Sequence, residues 1–217
     1  MKTIRIDFVS DVACPWCAVG FGFLEQALEN LKDEVKVEIH FQPFELNPSM
    51  PPGGEETIPY LMKKYGSEEA GIRKTQAHLV ERAKQAQFEF NSNYRPKVYN
   101  TFNCHRLIYW AGTLGVEKQY AMKKECLKAY FTRNENVDDR SVLLQAVKNI
   151  GLDVIRAKEI LESDEYTVQV RQEQEHFQKL GINAVPSVII ENQYLVQGGQ
   201  PAEVFEKTIR EVLLKAA

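Results

Sequence analysis

Apolar residues alternate with polar ones at the start of the chain. Ile4, Ile6 and Phe8 face one way, Arg5, Asp7 and Val9 the other, which predicts a strand over residues 3–9. Asp11 to Cys14 read as a loop, and Pro15 falls where a first helical turn begins, a place that suits its fixed φ and missing N–H. From Trp16 to about Leu31 the apolar residues Phe21, Leu24, Leu28 and Leu31 have helical spacing. A second alternating run, Val35, Val37, Ile39 and Phe41 against Lys36, Glu38, His40 and Gln42, predicts a strand over 35–44. Strand, helix and strand in that order make the unit that pairs two parallel strands through a crossover helix.

The pattern then changes. Asn47-Pro48 and Pro51-Pro52-Gly53-Gly54 mark a loop. Residues 56–180 carry helical periodicity and almost no strand signal, with helices expected at 57–65, 68–88, 99–114, 116–132, 139–150, 153–163 and 165–180. Gly66, Gly115, Gly151 and Gly181 fall at expected helix ends. Strands return at 187–190 and 194–196 around Glu191-Asn192-Gln193, a hairpin, and 201–214 forms a closing amphipathic helix. The expected fold class is α/β: residues 1–48 and 182–217 build the sheet, β-α-β then β-β-α, and residues 49–181 are a large all-helical insertion.

Composition narrows the function. The 217 residues are 44% apolar and 26% charged, as in a folded globular chain, and a net charge of −3 with both signs intermixed gives no footprint for nucleic acid or an anionic membrane surface. The charges of Lys2, Arg5 and Asp7 do not fit a signal peptide, and no apolar run is long enough to span a bilayer. A cytoplasmic location is expected, where thiols are mostly kept reduced.

Four cysteines are too few for a disulfide scaffold, so their placement calls for chemistry or packing. Cys14 and Cys17 follow a strand and open a helix. There the sulfur of Cys14 meets unpaired N–H groups and the positive end of the helix dipole, which favour thiolate over thiol. A hundredfold gain in acidity corresponds to about 2.7 kcal/mol. Cys17, one turn on, is expected to be more buried and to resolve a mixed disulfide on Cys14. The same spacing can serve zinc, but Cys104 and Cys126 form no second such pair and only His105 adjoins them. No metal is expected. Val185-Pro186 stands just before a returning strand; in thioredoxin-like folds, which this order of elements resembles, a cis proline starts that strand and faces the redox pair, which implies that Val185 backbone groups are offered to an extended substrate.

The stretches Ser10 to Cys17 and Pro43-Phe44-Glu45-Leu46-Asn47-Pro48 resemble the DsbA family, and within it the FrnE-like cytoplasmic dithiol–disulfide isomerases. So do Asn100 to Asn103, His105-Arg106-Leu107, Ala129-Tyr130-Phe131, Gly181 to Pro186 and Gly198 to Pro201. The resemblance runs the length of the chain. It implies a thioredoxin-like fold whose helical insertion is a lid over the redox pair. Related families, the kappa-class glutathione transferases and hydroxychromene carboxylate isomerases, carry serine in place of the first cysteine; both cysteines are present here. Two positions depart from the pattern: Cys104 stands where a small residue such as Ala is usual, and Gln197-Gly198-Gly199-Gln200 replaces Ser-Gly-Ala-Gln, a change expected to matter little.

The resulting reading is a thiol–disulfide oxidoreductase or isomerase. Cys14 attacks, Cys17 resolves, and Trp16, Val185 and Pro186 meet substrate. Asp11 is expected to relay a proton or raise the thiol pKa, or else to cap its loop. His105 is expected either to approach the thiolate from the lid or to serve as a hydrogen-bonded packing residue. Cys104 and Cys126, each eleven residues from Gly115, face one another if the two helices fold back there, as a packing pair or a second disulfide. His40, His78 and His176 are placed on exposed faces and given no role. No tightly bound cofactor is called for; glutathione is a co-substrate, and the partner is a disulfide-bearing protein or a small thiol or disulfide. The chain is expected to act as a monomer or homodimer. Two alternatives stand beside this reading: a glutathione-dependent isomerase or transferase on a small apolar molecule, and a non-catalytic redox sensor or chaperone.

Overall fold

The computed structural model describes residues 2–93 and 95–215. Strand β1 (Thr3–Ser10), helix α1 (Pro15–Asn30) and strand β2 (Lys36–Pro43) form the expected parallel unit, with Ile4 opposite Val37 and Phe8 opposite Phe41. The returning strands are β5 (Ser187–Ile190) and β6 (Tyr194–Gln197). β5 pairs antiparallel with β1, so the mixed sheet runs β2-β1-β5-β6. Helix α9 (Ala202–Lys215) packs beside α1. Glu191 and Asn192 take left-handed φ values of 52° and 55° between β5 and β6, the backbone a tight hairpin turn demands.

β1 is central, and its two faces are less unlike than simple alternation predicts. Val9 is as buried as Phe8, and Asp7 is buried too. The Asp7 carboxylate is held there by the Arg5 guanidinium at 2.6 and 2.8 Å and by the Gln42 amide at 2.6 Å.

Between β2 and β5 lie α2 (Thr57–Tyr65), α3 (Glu69–Gln85), α4 (Phe102–Thr113), α5 (Val116–Leu127), α6 (Arg140–Asn149), α7 (Val154–Glu162) and α8 (Thr167–Lys179). Two features correct the all-helical expectation. Residues Glu55–Glu56 (β3) and Lys97–Val98 (β4) pair antiparallel, so the helix expected from 99 begins only at Phe102. Two-residue strands are too short to show a period. The expected helix 116–132 also changes at Lys128, where Lys128–Thr132 form a π-helical turn.

Helix α5 is fixed to the sheet by a side chain acting as backbone. β2 is an edge strand, and the Gln119 amide accepts from Phe41 N at 2.9 Å and donates to Phe41 O at 3.1 Å, closing one step of that edge. Tyr120 of α5 packs edge-on to Phe21 of α1 with centroids 5.2 Å apart, and Phe21 meets Phe41 at the same separation. The Tyr120 hydroxyl and Lys124 ammonium both donate to the Glu25 carboxylate of α1. Sheet and insertion share one continuous apolar core.

Candidate redox site

Cys14 is the N-cap of α1, with extended backbone (φ −90°, ψ 111°) and Pro15 next in line. Its carbonyl accepts from Cys17 N at 3.0 Å, so the first turn brings the two cysteines onto one edge. Both are free thiols here; Cys14 is 4% exposed and Cys17 fully buried. Cys14 Sγ lies 3.7 Å from the carbonyl oxygen of Val185. The Val185–Pro186 peptide bond is cis. The distant Val185-Pro186 pair therefore meets the cysteines as expected.

The two thiols are unequal. A hydrogen bond from the Cys17 side chain is the largest influence on Cys14 and holds its pKa below the ordinary thiol value. Burial opposes this, the Cys17 N–H and the Arg95 charge add to it, and the Asp11 charge works against it. Burial pushes the Cys17 thiol well above its usual range, and the neighbouring Cys14 pushes it further. An acidic outer thiol and a reluctant inner one are what attack followed by resolution requires.

Asp11 lies behind the pair, 1% exposed. Its Oδ1 accepts from Ala13 N at 3.1 Å and from the Thr101 hydroxyl at 2.7 Å, and its Oδ2 accepts from Leu46 N at 2.7 Å. His105 Nε2 is 3.3 Å from Oδ1. Burial alone would raise this carboxyl. The His105 hydrogen bond and charge, with the Leu46 and Thr101 bonds, outweigh it and hold Asp11 ionised below the usual carboxylate range. Of the two roles foreseen for Asp11, the loop-organising one is fully displayed: one carboxylate ties the turn before Cys14 to residue 46 and to the start of α4. His105 faces Asp11 from α4.

Trp16 is half-buried between the His78 ring, 5.8 Å away on α3, and the backbone of Gly199. A Cβ at residue 199 would come within 3.0 Å of the indole. The bare backbone of Gly199 thus lies close against the Trp16 ring. His78 is exposed as expected, yet its ring on α3 meets Trp16, between the two cysteines. Gly20 plays a similar part on α1, where a Cβ would lie 3.1 Å from Pro186 Cγ.

A profile of the DSBA-like thioredoxin domain matches residues 5–210. The chain belongs to this family. The uncharacterised protein YwbO of Bacillus subtilis is 28% identical over 213 residues, 95% of this chain and 96% of the relative. A crystal structure of a probable DsbA oxidoreductase from Streptomyces coelicolor is 27% identical and superposes with a TM-score of 0.85, covering 96% of this chain and 89% of that one. The cytosolic disulfide reductase DsbM of Pseudomonas aeruginosa, solved with GSH, is 18% identical with a TM-score of 0.64, covering 97% and 99% of the two chains. At that identity the likeness is one of fold.

In this DsbA-like chain the insertion also supplies cations that the sequence did not single out. Lys64 of α2 donates to Asn47 Oδ1 at 2.6 Å and to Leu46 O at 3.0 Å, and its charge and that of Arg95 are both felt at Cys14. Lys123 of α5 is buried, with the charges of Cys17 and Asp11 acting on it. Its signal was present: 116, 120, 123 and 127 form one helical stripe on which Val, Tyr and Leu flank a lone lysine. Cys104 and Cys126 do meet across the α4–α5 hairpin, side chain to side chain. Cys104 also lies 3.4 Å from Val137 O. Contact with Cys126 and full burial raise the Cys104 pKa well above its usual range, which suits packing better than nucleophilic attack. Among the described residues no helix is long and apolar enough to cross a membrane.

Proposed function

We propose that this DsbA-like protein exchanges thiols and disulfides through Cys14 and Cys17, as a FrnE-like member of the family acting in a reducing, cytoplasmic setting. The Cys14 thiolate attacks one sulfur of a substrate disulfide. The substrate S–S bond breaks, the mixed disulfide forms, and the displaced thiolate takes up a proton. Cys17, deprotonated, then attacks Cys14 Sγ; the second substrate sulfur leaves as a thiolate and the Cys14–Cys17 disulfide remains. An external thiol returns that disulfide to the dithiol. The observation that carries this reading is the acidified Cys14 sulfur at the mouth of α1, 3.7 Å from the carbonyl oxygen that precedes Pro186. The backbone of Val185 is placed beside the reacting sulfur to pair with an extended substrate. Lys64 and Arg95, whose charges act near Cys14, suit an anionic thiol, and glutathione is the proposed co-substrate.

The test is dithiothreitol-driven reduction of insulin disulfides by wild type, Cys14→Ser and Cys17→Ser. Activity is expected in wild type alone, with Cys17→Ser accumulating as a mixed disulfide. Equal activity in Cys14→Ser would overturn the reading, and a glutathione complex without disulfide reduction would favour the isomerase or transferase alternative.

A further inference from the structure

We propose that one flank of α3, the stripe Lys74, His78 and Arg82, is a docking rail for an acidic segment of the protein whose disulfide the redox pair attacks. The inference rests on the thiol-exchange reading above and names the kind of substrate that site takes.

Helical spacing makes the stripe. Residues four apart lie one above another on a helix, so 74, 78 and 82 share a face. They span about 12 Å, at a rise of about 1.5 Å per residue. Two contacts fix where that face points. The His78 ring meets Trp16, between the two cysteines, with centroids 5.8 Å apart. Arg82 Nη2 donates to Gly199 O at a long 3.5 Å, and its guanidinium lies 4.6 Å from the centre of the Phe23 ring of α1. Gly198 N in turn donates to Pro186 O at 2.8 Å, so the Arg82 end of the stripe reaches the loop bonded to the cis proline. Lys74 and His78 are exposed and Arg82 is half-buried.

The two flanks of α3 treat their charges differently. On the flank away from Trp16, Arg73 is paired with Glu69 at 2.6 Å and Lys84 with Glu81 at 3.7 Å. On the flank toward Trp16, Lys74, His78 and Arg82 form no ion pair among the described residues. Gly71, Thr75 and Gln85, which share that flank, are uncharged. So is the facing loop, Gln197-Gly198-Gly199-Gln200. Two cations without a carboxylate of their own thus stand beside the redox motif of a chain whose net charge is −3. An ammonium and a guanidinium attract carboxylates, and the imidazole offers a further hydrogen-bonding nitrogen. An extended segment advances about 3.3 Å per residue, so about four residues cover the stripe. Asp or Glu within that distance of the substrate cysteine is the chemistry the stripe fits. Exposed pairs of this kind add little to affinity one by one; together they speed encounter and select the partner.

The test times the reaction of the reduced protein with three synthetic peptides that share one disulfide and differ only in the residues flanking it: Asp and Glu, Asn and Gln, or Lys. The salt is held at about 0.1 M, where exposed charges more than about 10 Å apart are screened. Wild type is expected to reduce the acidic peptide about tenfold faster than the basic one, and less than about twofold faster at about 1 M salt. Lys74→Glu is expected to slow the acidic peptide about fivefold, to quicken the basic one, and to leave the neutral one within about twofold. Lys84→Glu makes the same change of net charge on the other flank and should leave all three within about twofold. Glutathione disulfide has carboxylates but no extended segment, and should react alike with wild type and Lys74→Glu. Equal wild-type rates for the acidic and basic peptides would overturn the proposal. An equal loss in Lys84→Glu, or an equal loss for glutathione disulfide, would do the same, since either makes the effect one of overall charge. Failure of wild type to reduce even the neutral peptide would instead remove the thiol-exchange reading, and this inference with it.

Discussion

His105 Nε2 and Asp11 Oδ1 face each other at 3.3 Å behind the redox pair, with both side chains out of contact with water. The carboxylate also gathers Ala13 N, Leu46 N and the Thr101 hydroxyl. Asp11→Ala would leave these donors unpaired in the core, at a cost of about 3 kcal/mol or more. At roughly 2–4 °C per kcal/mol for a chain of this size, the melting temperature should fall by about 6–12 °C. Because the folded-state pKa of Asp11 is lowered, its ionised form adds stability that is complete above the unfolded-state pKa of about 3.9. That part drains away as pH falls through the folded-state pKa. Denaturant titrations from about pH 6 down to about pH 3 should show a steeper acid loss in wild type than in Asp11→Asn, whose side chain does not titrate.

The unequal thiols give a second expectation. Iodoacetamide consumes thiolate, so the alkylation rate of Cys14 against pH should have a midpoint below the ordinary thiol value, while Cys17 and Cys104, both buried with raised pKa, stay unmodified in the native state. Peptide mass spectrometry after timed labelling reads each cysteine separately. Replacing Arg95 by Met should move the Cys14 midpoint upward, since that guanidinium is among the groups that lower it.

Arg106, one residue beyond His105, is a structural arginine. Its guanidinium donates to the carbonyls of Ile160, Ser163 and Glu165 and to Asn103 Oδ1, which caps the end of α7 and ties it to α4. Ile160 O also accepts from Ser163 N at 3.3 Å and from the Ser163 hydroxyl at 3.2 Å, so the guanidinium joins a capped helix end to the turn that follows it. A lysine cannot span them with one ammonium. Arg106→Lys should cost about 2 kcal/mol, read as a lower denaturation midpoint, with little effect on the alkylation of Cys14.

What the sequence conveyed and what it withheld divide along physical lines. The chemistry of Cys14 and Cys17 is local, since the spacing, the preceding strand and Pro15 all lie within one β-α unit. The meeting with Val185–Pro186 was legible because the β-α-β and β-β-α order resembles a thioredoxin-like fold, in which a cis proline faces the pair. The pairing of residues 55–56 with 97–98 leaves no period to read. The seating of Trp16 against His78 depends on how α3 lies across α1, which no local pattern records. Lys123 stood on an apolar stripe and could have been found there, but its neighbours Cys17 and Asp11 belong to elements more than a hundred residues earlier.

The crossing of α3 and α1 gives the last expectation. Gly22 lies on α1 one turn and a half beyond Cys17, and a Cβ there would come 2.4 Å from the backbone oxygen of Ala86, just past the end of α3. In an open helix, Gly→Ala gains about 1 kcal/mol. At Gly22 the backbone must move to admit the methyl group, at about 1–3 kcal/mol, so Gly22→Ala should be net destabilising. Gly71 of α3 is the control: a Cβ there meets nothing within 4 Å, and Gly71→Ala should be neutral or stabilising by up to about 1 kcal/mol. Urea titrations of the two variants should therefore shift in opposite directions from wild type or differ by more than the propensity gain. The Gln26 amide donates to Gln85 O at 2.8 Å in the same seam, so displacing residue 86 also disturbs the join that places His78 over Trp16. Gly22→Ala should accordingly change the fluorescence of Trp16 on the native baseline, before unfolding begins, and Gly71→Ala should not.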